Sequence, residues 1–347
     1  MIFPLALLSL TMAILAGWQR INWEIPGLQI AADHGAMMIG SFLGTVICLE
    51  RCIMHEHKWW RLLPLLNGLS IIFFLAHLPD FAYITLIVGS AGLLILMCTY
   101  LQSSVRLPEI LLVIGAFAWL TGNLVLYNQY AYPAAVKWWM LFLLWTILAE
   151  RIALSSMLPV SRGKRFSLYA LIALNICGTF LPFHWHGNEV FAISLAGLAV
   201  WLLAFDMSRL ALQRRGQHRY IAAWLLLGFG WLIVTAAWLL FSPDASFAYD
   251  ATLHSFFLGF VFSMVFGHVP IIFPGIIRRN LSLYHPVLYI VFVLFQGSLF
   301  IRILGDAFSN QLWRQWGGLF NGISMLLFLL FTVAIVWMRS AKRKSMI

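Results

Sequence analysis

The stretch GLQIAADHGAMMIGSFLGTVICLER, residues 27–51, decides how the chain reads. Gly27 to Leu49 is long enough to cross a bilayer, for which about 20 predominantly apolar residues suffice. It nevertheless opens on Asp33-His34-Gly35 and leaves on Glu50-Arg51. An imidazole at membrane depth is costly without a partner, and ionisable residues placed there mark function. A second stretch, LHSFFLGFVFSMVFGHV over residues 253–269, repeats the design with His254 near its head.

The remainder of the chain is made of the same material. Of its 347 residues 62% are hydrophobic and 10% charged, a membrane composition rather than a soluble one. Apolar runs long enough to span fall at 2–18, 27–49, 61–79, 81–102, 107–129, 133–157, 165–184, 188–206, 219–241, 247–272, 283–304 and 314–338. The expected fold is therefore all-α: a polytopic membrane protein of about twelve transmembrane helices forming a single integral membrane domain over 1–347. The first charge, Arg20, follows the first apolar run. Without a basic leader, residues 2–18 are expected to remain as a first helix.

Charge sets the orientation. Twelve spans put both termini on one side, and eighteen of the 22 Lys and Arg fall there, from Arg51, Lys58 and Arg61 to Lys344. Only Arg20, Lys137, Arg302 and Arg314 fall opposite. The positive-inside rule then makes both termini cytoplasmic. The net charge of +10 belongs to loops facing anionic lipid, so the expected partner is the bilayer, and nothing supports nucleic-acid binding.

Cys48, Cys98 and Cys177 lie within apolar runs and Cys52 just beyond the end of one, and together they suggest no disulfide framework. Cys48 and Cys52 share a helix face; buried structural thiols are the preferred reading, a soft-metal pair the alternative. Glu50-Arg51 and Glu150-Arg151 stand one hundred residues and four helices apart, and four helices later the tenth run carries Gly267-His268. A four-helix unit repeated three times gives this spacing, as do unrelated interfacial ion pairs. Gly35, Gly40, Gly44, Gly259 and Gly267 suit close helix packing first and the approach of a flat macrocycle second.

Topology sorts the histidines. His34, His77, His184, His186 and His254 are expected on the outer side, and His55, His57, His218, His268 and His285 on the cytoplasmic side. His254 and His268 lie ~21 Å apart along a straight helix and cannot serve one metal. His34 and His254 at matched depth can, as two axial ligands of a b-type haem, if their helices face each other. Met37, Phe256 and Phe257 would line the ring, and Arg302 and Arg314 would pair with its propionates. Taken singly, either histidine is as well explained by a hydrogen bond to a neighbouring helix. His184 and His186, with His77 as a third ligand, form an incomplete copper or zinc site; an ordinary interfacial loop competes with that reading. His55-Glu56-His57 reads as a solvated loop.

At these residues the chain resembles the catalytic subunit of haem–copper oxidases and the NnrS-type haem–copper membrane proteins. The resemblance rests on twelve helices, on His34-Gly35 early in helix two, and on the run from His254-Ser255-Phe256-Phe257-Leu258-Gly259 to Gly267-His268 in helix ten. It implies that His34 and His254 hold a low-spin haem, that Arg302 and Arg314 fall near the propionates, and that His184 and His186 fall near a copper pair. It also implies a bacterial-type inner (plasma) membrane, nitric oxide as a small gaseous ligand, a respiratory-chain electron donor, and a role in nitric oxide response or membrane electron transfer. Two departures count. Helix six opens Ala131-Tyr132-Pro133 without histidine, and helix ten carries one outer histidine where an oxidase has two. Oxidoreductase chemistry stays open, but a proton-pumping terminal oxidase does not fit. The competing classes are a secondary transporter for a metal ion or small anion, and a non-catalytic assembly subunit of a respiratory complex. Broken helices at mid-membrane would favour the transporter.

Overall fold

The computed structural model describes residues 2–53, 55–155, 161–181, 186–276 and 281–344. Every regular element among them is helical. The long helices are α1 (Ile2–Arg20), α2 (Ala31–Ile53), α3 (Leu62–Leu75), α4 (Pro79–Ser103), α5 (Leu107–Gln129) and α6 (Tyr132–Ser155). They continue with α7 (Arg162–Phe180), α8 (Gly187–Phe205), α9 (Gln217–Phe241), α10 (Ala248–Ile276), α11 (Leu288–Ala307) and α12 (Gln311–Lys344). Ten are long and apolar enough to cross a membrane, which makes the chain an all-helical polytopic membrane protein. α3, with fourteen residues, is short, and α7 carries Arg162, Lys164 and Arg165 in its first turn. α3 stops at Leu75, short of the expected 79, because His77 turns into the left-handed region at φ 57° and Pro79 starts the next helix.

The chain divides into two compact units, Met1–Ala153 and Leu154–Ile347. In the first, α2 is the central helix: 72% of its apolar window is buried, against 33% for α1. Its glycines explain how neighbours come so close. A methyl group built on Gly40 would lie 2.5 Å from the Leu86 side chain, and one on Gly44 2.4 Å from the Trp119 ring. Trp119 in turn stacks on Phe142 at 4.8 Å between ring centres, both rings fully buried. In the second unit α10 holds the centre in the same way, with Gly259 pressed by Trp231 and Gly267 by Trp224. Phe256, Phe260 and Phe262 are fully buried around it. Gly35 likewise meets Tyr132. The glycine notches are thus occupied by side chains, as the helix-packing reading requires.

Both central helices depart from regular α geometry at one place. α2 begins as a 3-10 turn (Ala31–Asp33), passes through His34–Ala36, widens into a π-helix over Met37–Gly44, and ends as Thr45–Ile53. α10 runs regularly over Ala248–His254, widens over Ser255–Phe262, and resumes at Ser263–Ile276. α6 has no such segment. π-helical turns are rare and cluster at functional sites.

Three antiparallel hairpins share one device. Lipid supplies no hydrophobic drive between helices, so small residues and hydrogen bonds hold them together. Between α3 and α4, Asn67 faces Gly89 and Leu63 faces Gly92. Between α7 and α8, Asn175 donates to Ser194 Oγ at 2.7 Å and Leu171 faces Gly197. Between α11 and α12, Asn321 donates to Ser298 Oγ at 2.7 Å and Arg302 faces Gly317.

Candidate functional site around the histidine-headed helices

His34 stands at the start of α2, half-buried, against α1. Its Nδ1 lies 2.7 Å from the Ala13 carbonyl oxygen. A carbonyl only accepts, so Nδ1 carries the proton and, in the neutral ring, Nε2 carries the lone pair. Gly17, one turn along α1, makes room for the imidazole: a methyl there would sit 2.8 Å from His34 Cε1. Asp33 beside it accepts from the Tyr83 hydroxyl at 3.0 Å. The interhelical bond expected of a lone intramembrane histidine is therefore made, through the nitrogen that a metal ligand also leaves bonded.

His254 lies one and a half turns into α10 rather than at its first residue. Its Nδ1 is 2.8 Å from the Asp250 carbonyl oxygen and 3.3 Å from Asp250 Oδ1. Here too Nδ1 is the donor and Nε2 the lone-pair nitrogen of the neutral ring. Asp250 Oδ2 accepts from Arg302 at 3.0 Å and from Arg314 at 3.2 Å. Arg314 Nε also donates to Asp306 Oδ1 at 2.5 Å, its NH1 to Gln311 at 2.8 Å, and its guanidinium lies 3.5 Å over the Phe247 ring. Arg302, Arg314 and Asp306 are buried. Two guanidinium and two carboxylate groups balance, which is how charges survive in such a place.

Local sequence builds this cluster. Asn310 N bonds Gly305 O at 2.8 Å, closing the turn after α11, and Asn310 Oδ1 accepts from Trp313 N at 3.1 Å, capping α12. Gly305 faces the Arg314 backbone, and Gly317 faces that of Arg302. The two helices approach until their arginines can share Asp250. Two atoms stay without a hydrogen-bond partner, Arg302 Nε and Asp306 Oδ2. Arg302 and Arg314 therefore do stand beside His254, but on Asp250 and Asp306. Neither aspartate was singled out from sequence. Their spacing, four residues before His254 and four after Arg302, was the available signal.

The other expected ligands lie on separate elements. His184 lies outside the described residues. His186 is exposed and pairs Nδ1 with Glu189 Oε1 at 3.1 Å. His77 belongs to the first unit, in the turn after α3. Among the described residues no group of three or more His, Cys, Asp or Glu is arranged to hold a metal ion. Cys48 accepts from Asn67 Nδ2 at 3.3 Å and Cys52 donates to the Trp60 carbonyl at 3.1 Å, as structural thiols do. In the first unit Arg51 pairs with Glu150, joining the two Glu-Arg dipeptides across α2 and α6, while Tyr100 donates to the Arg51 carbonyl at 2.8 Å.

Fold and site together define an all-helical polytopic membrane protein with a histidine ahead of a π-helical segment in each of its two units. Residues 1–337 match the model of the DUF8744 family, described as a domain of unknown function, and the chain belongs to that family. No curated protein and no solved structure matches it.

Proposed function

We propose that the protein binds a b-type haem through His34 and His254 and serves nitric oxide response or membrane electron transfer. One observation carries this reading. Among the described residues, the two helices that widen into π-helix are the two that carry these histidines, and each histidine has Nδ1 committed to a backbone carbonyl. That commitment fixes the tautomer an axial ligand needs. Haem held by both imidazoles would supply one-electron chemistry and would leave no open position for a diatomic gas; the chain would supply those two oriented imidazoles and a surrounding of buried aromatic rings. The arginine cluster fits propionates less simply, because both guanidinium groups already serve Asp250 and Asp306. Arg302 and Arg314 would hold propionates only by sharing. Copper at His184, His186 and His77 remains part of the proposal, with an enzymatic oxidoreductase role left to the bound metal.

The finer architecture belongs to the same reading. Twelve spans would form three groups of four, in a haem–copper oxidase-like arrangement. The α3–α4, α7–α8 and α11–α12 hairpins support it, each having an asparagine and a glycine notch at its interface. Leu63 and Asn67 are four residues apart, as are Leu171 and Asn175. Their partners Gly89 and Gly92 are three apart, as are Ser194 and Gly197. Both termini would be cytoplasmic, in a bacterial-type inner membrane.

His34→Ala and His254→Ala test the proposal. Each should abolish haem binding while the variant still elutes as a monodisperse species; unchanged haem content in both would contradict it. A transporter is the second reading, favoured by irregular helix geometry within two buried helices. Binding of a metal ion or small anion by haem-free protein would favour it.

A further inference from the structure

The first unit carries a groove of about 550 Å³ that the haem reading does not use. It is walled by Ile2 in the first turn of α1, by Lys58, Trp59 and Arg61 in the 3-10 turn Lys58–Arg61, and by Leu62 and Leu65 at the start of α3. The groove is open: Trp59 is 56% exposed and Leu62 57%. Its lining mixes apolar and cationic side chains. Three aliphatic side chains, two cationic ones and an indole line it together. No acidic residue lines it. Neither Lys58 nor Arg61 is in a salt bridge among the described residues, in contrast to Arg51 with Glu150 and Arg106 with Glu109.

The local sequence accounts for this shape. Leaving α2 at Ile53, the chain re-enters the apolar region only at Leu62. The 3-10 turn between them joins the end of a candidate membrane span to a short apolar helix. Trp59 stacks on Trp60 at 3.8 Å, and Trp60 is buried, so Trp59 is held in place rather than waving free. An amphipathic indole beside cations at a helix entry is the arrangement found at membrane interfaces. Lys and Arg there attract anionic lipid.

We propose that this groove binds one anionic phospholipid, its phosphate on Lys58 and Arg61, its glycerol region against Trp59, and an acyl chain along Ile2, Leu62 and Leu65. The mainly apolar lining beside two cations argues for a lipid rather than a free anion, which would leave the aliphatic side chains and the indole unused. The site does not depend on haem.

Native mass spectrometry of the delipidated full chain tests it, using phosphatidylglycerol and phosphatidylcholine with identical acyl chains. One phosphatidylglycerol should be retained in preference to phosphatidylcholine. At roughly fivefold per cation, Lys58→Gln with Arg61→Gln should weaken phosphatidylglycerol binding about 25-fold, to the level of phosphatidylcholine. Arg106→Gln, which removes a cation already paired outside the groove, should leave binding unchanged and controls for net charge. Equal retention of the two lipids, or a double variant that keeps the preference, would overturn the proposal. Full displacement of phosphatidylglycerol by inorganic phosphate would overturn it too, by assigning the site to a free anion.

Discussion

Asp250→Asn isolates the charge that organises the second unit. The carboxylate accepts from Arg302 at 3.0 Å and Arg314 at 3.2 Å. Hydrogen bonds to charged groups contribute roughly 1.5–3 kcal/mol each. Asparagine keeps the shape and one acceptor oxygen but loses the charge; if half of each bond survives, the loss is about 1.5–3 kcal/mol. Breaking a fully buried pair costs roughly 3–5 kcal/mol. The smaller figure applies because the Asp250 side chain is 27% exposed, while Arg302 and Arg314 are at 7% and 10%. The cluster passes from neutral to a single excess positive charge. At roughly 2–4 °C per kcal/mol for a unit of this size, thermal unfolding in detergent, followed by far-UV circular dichroism, should shift down by about 3–12 °C. Arg314→Gln combined with Asp250→Asn should cost about 1–2 kcal/mol less than the two changes summed, since they share a bond. An Asp250→Asn protein melting within about 1 °C of the parent, with additive behaviour in the cycle, would refute the cluster as a structural unit.

Three further outcomes follow from the packing. Gly317→Ala places a methyl 2.7–2.8 Å from the Arg302 backbone, which cannot give way, and should destabilise by roughly 1–3 kcal/mol in the same melt; Gly297→Ala, with nothing within 4 Å, should be neutral or stabilising. A double-mutant cycle of Asn175→Ala and Ser194→Ala should return a coupling of about 0.6 kcal/mol, the usual worth of a hydrogen bond between membrane helices, and no coupling would mean the 2.7 Å contact does not hold α7 to α8. Glu150→Gln should cost roughly 1–2 kcal/mol by orphaning the half-buried Arg51, and the charge swap Arg51→Glu with Glu150→Arg should recover part of it; a swap no better than the single change would remove the ion pair from the account.

Helix positions were legible because the requirement is one-dimensional: an apolar run of sufficient length has few alternatives in lipid. Among the described residues each expected run falls on a helix, with ends differing by up to about six residues, and ten of these helices are long and apolar enough to span. The misses are at ends decided by backbone turns, such as His77 with φ 57° before Pro79. The placement of His34 and His254 within apolar runs was also legible. What surrounds His254 was not. Arg302 and Arg314 stood out as isolated cations, but their partners are chosen by the turn at Asn310 and by Gly305 and Gly317, whose roles exist only once α11 and α12 are paired. The π-helical segments have no residue signature at all. Met37–Gly44 and Ser255–Phe262 share a glycine pressed by a large side chain, and that contact appears only in three dimensions. The glycines themselves suited both a macrocycle and a helix, and the Leu86, Trp119 and Trp231 side chains against them favour the helix.

The most direct test of the haem proposal is a dithionite-reduced minus oxidised spectrum of the detergent-purified protein, expressed with ample haem supply and analysed for haem and metal on the same sample. The account predicts sharp α and Soret bands at one haem per chain, lost in both His34→Ala and His254→Ala. A protein that purifies folded and colourless would contradict it, leaving the two histidines as packing or substrate-binding residues and favouring the transporter reading.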